Sequence, residues 1–266
     1  MLPILLNKIL QLKTDPVLRR WLVGRLLGHW PGEPAFTAHR PPYLEGLLPL
    51  SKETPSADFP ELVHTAPTKS IHISLAGEDV TLAPGDEEAL FKRSFKGLEP
   101  TLALHRFAWL PLLGNDADPA WVAAIWRVWI KYHGVPVDGW AWHPYTAAER
   151  AINILVFAQY AGLPGPIKNS LTILAAHGPA IAERLEYFGD HHTSNHLANN
   201  GRGLFLLGLS LGLPNCAELG GLILIKEAAR IFTSSGILRE GSSHYHALLG
   251  ANYSQCADAA AEIKRP

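Results

Sequence analysis

Apolar residues recur at helical spacing in the second half of the chain. After the dipeptide Asp118-Pro119 they fall at three- and four-residue intervals, at Trp121, Ile125, Val128 and Trp129. This spacing places them on one face of a helix. The dipeptide supplies an N-cap and a proline at the first helical position. The pattern therefore predicts helices from about residue 101 onward.

Other start and stop signals divide this region into further helices. Residues 146–149 have the spacing of a capping box, and Gly162 and Pro164 would end the helix that follows. Further helices are predicted at about 166–187, 195–212, 216–234 and 244–262. Pro179 is expected to split or kink the first of these four.

The first hundred residues follow a different pattern. Residues 1–28 indicate one or two short helices, and the proline-rich residues 31–67 indicate an extended connecting segment. Apolar and polar residues then alternate in 71–75 and 80–82, around the sequence Ala76-Gly77-Glu78-Asp79. This alternation predicts a small β-hairpin. We therefore divide the chain into residues 1–100 and a helical domain, 101–266.

Helices of this length with wide apolar faces and short Gly/Pro connections favour stacked antiparallel pairs. The sequence has no strict repeat at a fixed period, which disfavours a regular solenoid. We predict a mainly α fold that forms an incomplete (α/α) toroid. The last predicted helix has no partner after it, so we expect a truncated toroid.

Composition excludes several classes of protein. Twenty-three basic and 24 acidic residues give a net charge of -1, so no global field would recruit nucleic acid. The two cysteines form no metal-binding motif or disulfide framework. We recognise no signal peptide and no apolar stretch long enough to span a membrane. The sequence leaves the compartment and the oligomeric state open.

Two polar clusters stand out in the apolar helical region. The first is residues 191–196, His-His-Thr-Ser-Asn-His, at the predicted start of a helix. Helix N-termini favour anions, and Asn195 and His196 would add side-chain donors there. A carboxylate-binding site is therefore one interpretation. The alternative is that Ser194 or Asn195 only caps the helix and that the histidines are solvated.

The second cluster is residues 239–246, Arg-Glu-Gly-Ser-Ser-His-Tyr-His. A phenol near an arginine and two imidazoles can exchange a proton at neutral pH, so Tyr245 is a candidate acid, base or both. The alternative is a tyrosine that only anchors the start of a helix.

A competing metal site would use His192 and His196 with His244 and His246, although it lacks a clear acidic ligand.

Four segments in order carry a family resemblance: residues 104–110; residues 142–145 with 149, 150 and 153; residues 195–197 with Asn200; and residues 240–246. Together they resemble the heparinase II/III-like polysaccharide lyases and their alginate-lyase relatives. The resemblance implies an (α/α) toroid, followed in complete members by a β-sandwich domain with a further catalytic residue and often zinc. For this chain it implies no cofactor and an acidic polysaccharide as partner.

The resemblance also implies residue roles. These lyases cleave uronate polysaccharides by β-elimination, so Asn195 would neutralise the uronate carboxylate, with His196 beside it in the same role or in substrate positioning. Tyr245 would donate a proton to the leaving oxygen, or act as base and donor in turn. Supporting or sugar-contacting roles would fall to Arg239, Glu240, His246, Asn200, His192, Trp142 and His143.

The tryptophans leave two interpretations open. Trp126, Trp129, Trp140 and Trp142 would stack on sugar rings or lie in the core, and Trp140 and Trp142 are the stronger candidates for a sugar-binding groove. Three functions follow for the whole chain. The first is a uronate polysaccharide lyase, for which the family resemblance implies a periplasmic or extracellular location, whereas the sequence as given indicates the cytoplasm. The others are a catalytically incomplete glycan-binding toroid and a metal-dependent hydrolase.

Overall fold

A computed structural model describes residues 40–62, 65–188 and 195–263, together with isolated positions between 12 and 28. The described chain is mainly helical and contains one small two-stranded antiparallel sheet. Residues 40–62 contain one short 3-10 turn, Pro42–Leu44, and otherwise little regular structure. No helix in the described ranges is both long and apolar enough to cross a lipid bilayer.

The predicted hairpin is confirmed. Strands β1 (Ile71–Leu75) and β2 (Glu78–Leu82) pair in antiparallel register. Ala76 and Gly77 connect them with φ angles of 48° and 91°. Two consecutive positive φ angles are typical of the two-residue turns that match strand twist. The turn is therefore tighter than the four-residue loop that the sequence suggested.

The helices follow in chain order. Their bounds are α1 (Glu87–Lys92), α2 (Leu98–Arg106), α3 (Leu110–Leu113), α4 (Pro119–His133), α5 (Pro144–Ala161), α6 (Ile167–Glu183), α7 (His196–Leu211), α8 (Pro214–Ile231) and α9 (Ser243–Ile263). The bounds predicted for α6 to α9 differ from these by at most four residues. The Asp118 cap is confirmed, because its Oδ1 accepts a hydrogen bond from the backbone N–H of Ala120 at 2.9 Å.

Helix α7 is the centre of the helical region, since it packs against α5, α6, α8 and α9. Its closest partner is α8. A Cβ atom at Gly208 would lie 2.3 Å from the backbone nitrogen of Ala217, and one at Gly220 would lie 2.7 Å from the carbonyl oxygen of Gly201. These contacts run in opposite directions along the two helices. Glycines thus allow α7 and α8 to pack as a close antiparallel pair.

One local prediction is wrong and another is narrowed. Helix α5 begins at Pro144, not at a capping box beginning at Thr146. Proline suits the first helical position, so the start moves toward the N-terminus and buries Thr146 in the first turn. Helix α6 continues through Pro179 to Glu183, so of the two effects predicted for this proline, a split or a kink, the split does not occur.

Candidate functional site

An open pocket of about 460 Å³ lies at the N-terminal end of α7. Side chains from both polar clusters of the sequence line it, which brings Asn195 and His196 together with Tyr245. The other lining residues are Leu98, Glu99, Leu102, Arg106, Trp140, His143, Tyr145, Glu186 and Phe188. The pocket therefore combines an amide, imidazoles, phenols, carboxylates and a guanidinium.

Asn195 immediately precedes α7 and is 9% exposed. Its side chain makes no capping hydrogen bond, and its amide has no hydrogen-bond partner within the described ranges. Asn195 thus occupies the N-cap position of α7, as one alternative predicted, but without a side-chain capping hydrogen bond, and Ser194 lies outside the described residues. A nearly buried amide that lines a pocket and has no partner among the described residues can bind a ligand oxygen.

His196 is held by a buried carboxylate. Its Nδ1 atom lies 2.6 Å from Oε1 of Glu186. The Glu186 side chain is 5% exposed and the His196 side chain 44%. Because an ionised carboxylate only accepts hydrogen bonds, Nδ1 carries the proton in this contact. In a neutral imidazole, Nε2 is then the unprotonated atom, able to accept a proton or a hydrogen bond.

Asn200 fixes Glu186 from the other side. Its Nδ2 donates to Oε2 of Glu186 at 2.9 Å, and its Oδ1 accepts from the backbone N–H of Glu186, also at 2.9 Å. Asn200 is fully buried and lies one helical turn after His196. Asn200, which was predicted to support the site or bind substrate, thus holds Glu186 and does not line the pocket.

Burial alone would raise the pKa of Glu186. The hydrogen bond and charge of His196, the charge of His143 and the hydrogen bond from Asn200 together outweigh it, so the pKa lies below its usual value. Glu186 is therefore a carboxylate at neutral pH. This supports its assignment as the acceptor in the contact with His196.

His143 is the second imidazole beside Glu186. Its Nε2 atom lies 3.6 Å from the same Oε1 atom that contacts His196. Burial is the main cause that lowers the pKa of His143, and the attraction of Glu186 offsets this only in part. His143 therefore lines the pocket as a neutral ring at neutral pH, and its supporting or substrate-binding role stays a prediction.

Arg106 and Tyr145 form the wall beside His196. The Arg106 guanidinium lies 4.9 Å from the centre of the Tyr145 ring, which is itself 5.0 Å from the His196 ring. Burial, with the charge of Glu149, raises the pKa of Tyr145 to about 12. Tyr145 is thus a protonated phenol at neutral pH. Arg106 contacts Glu99 at 3.5 Å, but Glu99 is 68% exposed, so this contact is weak.

Tyr245 lies in the first turn of α9 and is 39% exposed. Its hydroxyl has no hydrogen-bond partner within the described ranges. Helix α9 is joined to α7 by Arg202, which donates two hydrogen bonds to Oε1 of Gln255 at 2.9 and 2.8 Å. Tyr245 therefore reaches the pocket from a helix that packs mainly on α7.

Three residues of the second cluster do not line the pocket. Arg239 and Glu240 are exposed in the loop before α9. His246 accepts a hydrogen bond from the backbone N–H of Leu238 through Nδ1 at 3.4 Å, and its ring packs 6.1 Å from that of Phe232. None of these three residues lies where the predicted supporting shell of the pocket would place it. His192 lies outside the described residues.

Trp142 was expected in a sugar-binding groove, and this is wrong. Its side chain is fully buried, and its Nε1 donates to the carbonyl of His133 at 2.7 Å. The ring packs against Trp129 and lies 5.0 Å from the Arg150 guanidinium. No sugar can reach it. Trp140 does line the pocket, with its ring 5.5 Å from that of His143.

Comparisons with models of known protein families, with curated proteins and with solved structures found no match. The activity is therefore argued from the pocket. Within the described ranges, no group of three or more His, Cys, Asp or Glu side chains is arranged to hold a metal ion. The pocket brings together imidazoles and phenols, which can exchange protons, with an amide and a guanidinium, which can donate hydrogen bonds.

Sequence reasoning missed one central residue. Glu186 belongs to none of the polar clusters or resembling segments, and its pairing with His196 arises only when the segment after α6 folds against the start of α7. Arg106 and Tyr145 lay within the resembling segments but received no role.

Proposed function

We propose that this protein is a polysaccharide lyase of the heparinase II/III-like type that cleaves a uronate-containing glycan by β-elimination. The observation that carries the proposal is the meeting of Asn195, His196 and Tyr245 in one open pocket, beside Arg106. Those three residues come from segments 50 residues apart that the family resemblance had already singled out. The proposal includes a toroidal arrangement of the helices, which the antiparallel pairing of α7 and α8 supports.

The reaction removes the C5 proton of the uronate and breaks the C4–O glycosidic bond. The electron pair of the C5–H bond forms the new C4–C5 double bond, and the electron pair of the C4–O bond leaves with the oxygen, which takes up a proton. Atoms and electrons balance without a redox partner. The protein must therefore provide a base, a proton donor and stabilisation of the charge that accumulates on the carboxylate.

The pocket contains a group for each requirement. The pocket-lining amide of Asn195 and the guanidinium of Arg106 suit the uronate carboxylate, where negative charge grows in the transition state. Tyr245 is the proton donor to the leaving oxygen, or base and donor in turn. His196 lies beside Asn195 with Nε2 available as a proton or hydrogen-bond acceptor.

Ultraviolet absorbance of the unsaturated product tests this proposal. The purified chain is incubated with a panel of uronate polysaccharides, with and without chelator, and with a neutral polysaccharide as control. We expect absorbance to rise with at least one uronate polymer, independently of chelator. Binding without a rise, in folded protein, would favour a glycan-binding module. Cleavage of the polysaccharide that chelator abolishes, and that produces no rise in absorbance, would favour a metal-dependent hydrolase.

A further inference from the structure

The carboxylate of Glu186 is fully engaged inside the protein. Oε1 contacts His196 at 2.6 Å and His143 at 3.6 Å, while Oε2 accepts from Asn200 at 2.9 Å. With a side chain only 5% exposed, it has little capacity left for a ligand. Whatever Glu186 contributes to the site must therefore pass through its neighbours.

We infer that Glu186 is a positioning residue that fixes the ring orientation and tautomer of His196, so that Nε2 is the atom presented to the pocket. Asn200 makes this orientation rigid, because it binds both the backbone N–H and the carboxylate of Glu186. The rotation of Glu186 that would release His196 would also break the Asn200 contact. This inference names a role for a residue outside the family resemblance.

The physical reason is the geometry of an imidazole. A neutral histidine carries its proton on one ring nitrogen, and the hydrogen bond that this nitrogen makes decides which one. Without Glu186, the half-exposed His196 ring would be free to rotate and to carry its proton on Nε2. A carboxylate that orients a histidine in this way acts by holding the correct tautomer, not by taking the proton itself.

Other charged groups around Glu186 and His196 would also influence a pH profile of activity. Arg106 and Arg184 act on His143, and the Glu149 and Arg202 charges act on the neighbouring Tyr145. A measurement of the tautomer itself is therefore more specific than a pH profile. It also does not depend on catalysis.

Nuclear magnetic resonance of protein labelled with nitrogen-15 in histidine gives this measurement. The His196 signals are assigned by their loss in His196→Gln, and spectra are recorded above about pH 8, where imidazoles are neutral. We expect His196 of the unaltered protein to carry its proton on Nδ1. A proton on Nε2 would overturn the inference without any further variant.

The variant Glu186→Gln then tests whether Glu186 determines the tautomer of His196. We expect the Nδ1–H tautomer to lose its dominance in this variant. Glu53→Gln is the matched control, because Glu53 also accepts hydrogen bonds inside the fold, from Asn215 and Cys216, but lies outside the pocket. It should leave the His196 signals unchanged. An unchanged tautomer in Glu186→Gln would overturn the inference.

The kinetic part of the inference rests on the proposed lyase function. In an active protein, Glu186→Gln should lower kcat by on the order of 100-fold with little change in KM, because the pocket wall that binds the glycan remains. A loss of kcat/KM of the same size that came entirely from a higher KM would contradict the positioning role of Glu186. If the unaltered protein shows no elimination, the lyase proposal fails, while the tautomer measurement still decides the role of Glu186.

Discussion

The guanidinium of Arg150 lies 4.0 Å from the centre of the Trp129 ring, in the interior of the protein. Arg150 is fully buried and forms no ion pair with any carboxylate in the described ranges. Its donors reach the carbonyls of His105 and Ala141 and the Nε2 atom of His177. Aromatic faces and carbonyl dipoles thus replace the usual counter-ion of a buried cation.

This arrangement connects the helical core to the pocket. His105 precedes Arg106, and Ala141 lies in the 3-10 turn that leads to His143. Arg150 therefore joins the end of α2, which carries Arg106, to the turn before α5, which leads to His143. Asn153 adds a second tie, because its Nδ2 donates to the carbonyl of Arg106 at 2.9 Å.

Arg150→Ala should destabilise the protein strongly. The change leaves two carbonyls and a histidine nitrogen without their donor and opens a cavity beside two tryptophans. We expect a loss of about 3 kcal/mol or more in the free energy of unfolding, measured in urea. Arg127→Ala, at an exposed position of α4, is the control and should stay within about 0.5 kcal/mol. Equal stability of both variants would contradict a structural role for Arg150.

Asn195→Ala should lower turnover without unfolding the protein. Its side chain makes no capping hydrogen bond, so little helix stability is lost. If the amide stabilises the developing enolate, kcat falls by about 100-fold. The measurements are product absorbance and thermal unfolding. Asn215→Ala, outside the pocket, should match the unaltered protein in rate. An unchanged rate in Asn195→Ala would remove this residue from the site.

Tyr245→Phe should abolish cleavage and leave glycan binding nearly unchanged. The substitution removes only a hydroxyl that has no hydrogen-bond partner in the described part of the chain, so folding loses no hydrogen bond. Turnover and equilibrium binding of a uronate oligosaccharide are compared with those of Tyr160→Phe. Tyr160 is also exposed and lies outside the pocket. Full activity of Tyr245→Phe would refute the assigned proton transfer.

The sequence predicted most of the regular structure because periodicity and caps are local. The Asp118 cap and the hairpin at 71–82 are examples. It did not predict which polar residues turn inward. Arg150 and Trp142 lie in segments that were expected to contribute to a site, yet their contacts in the fold are those of a core. Glu186 carries no local signal, since its partners His196 and Asn200 lie 10 and 14 residues further along the chain, on the next helix.

Arg106→Gln should weaken substrate binding more than it slows chemistry. The change removes the pocket's guanidinium, whose charge-assisted contact with a uronate carboxylate would be worth about 1.5 kcal/mol. KM should therefore rise about tenfold. The salt dependence of KM should also become weaker, because one charge interaction is lost. Arg127→Gln is the control, and an identical KM in both variants would exclude Arg106 from binding.

Stability should fall as the solution is acidified below about pH 6.5. Burial, with the charges of His133 and Arg150, lowers the pKa of His105 to about 3, and burial also lowers the pKa of His177. The unfolded chain therefore binds protons that the folded protein does not. Each such histidine contributes a slope of about 1.4 kcal/mol per pH unit between its unfolded and folded pKa values.

Urea unfolding between pH 5 and pH 8 measures this slope. His105→Gln should reduce it, because the variant removes one of the buried groups that the unfolded chain protonates. The exposed His72 on β1 offers the control, and His72→Gln should leave the slope unchanged. The pKa of Glu186 is also lowered, but protonation of this carboxylate affects stability only at more acidic pH, below the usual range of a carboxyl group. A flat profile between pH 5 and pH 8 would show that the buried histidines gain protons in the folded protein as readily as in the unfolded chain.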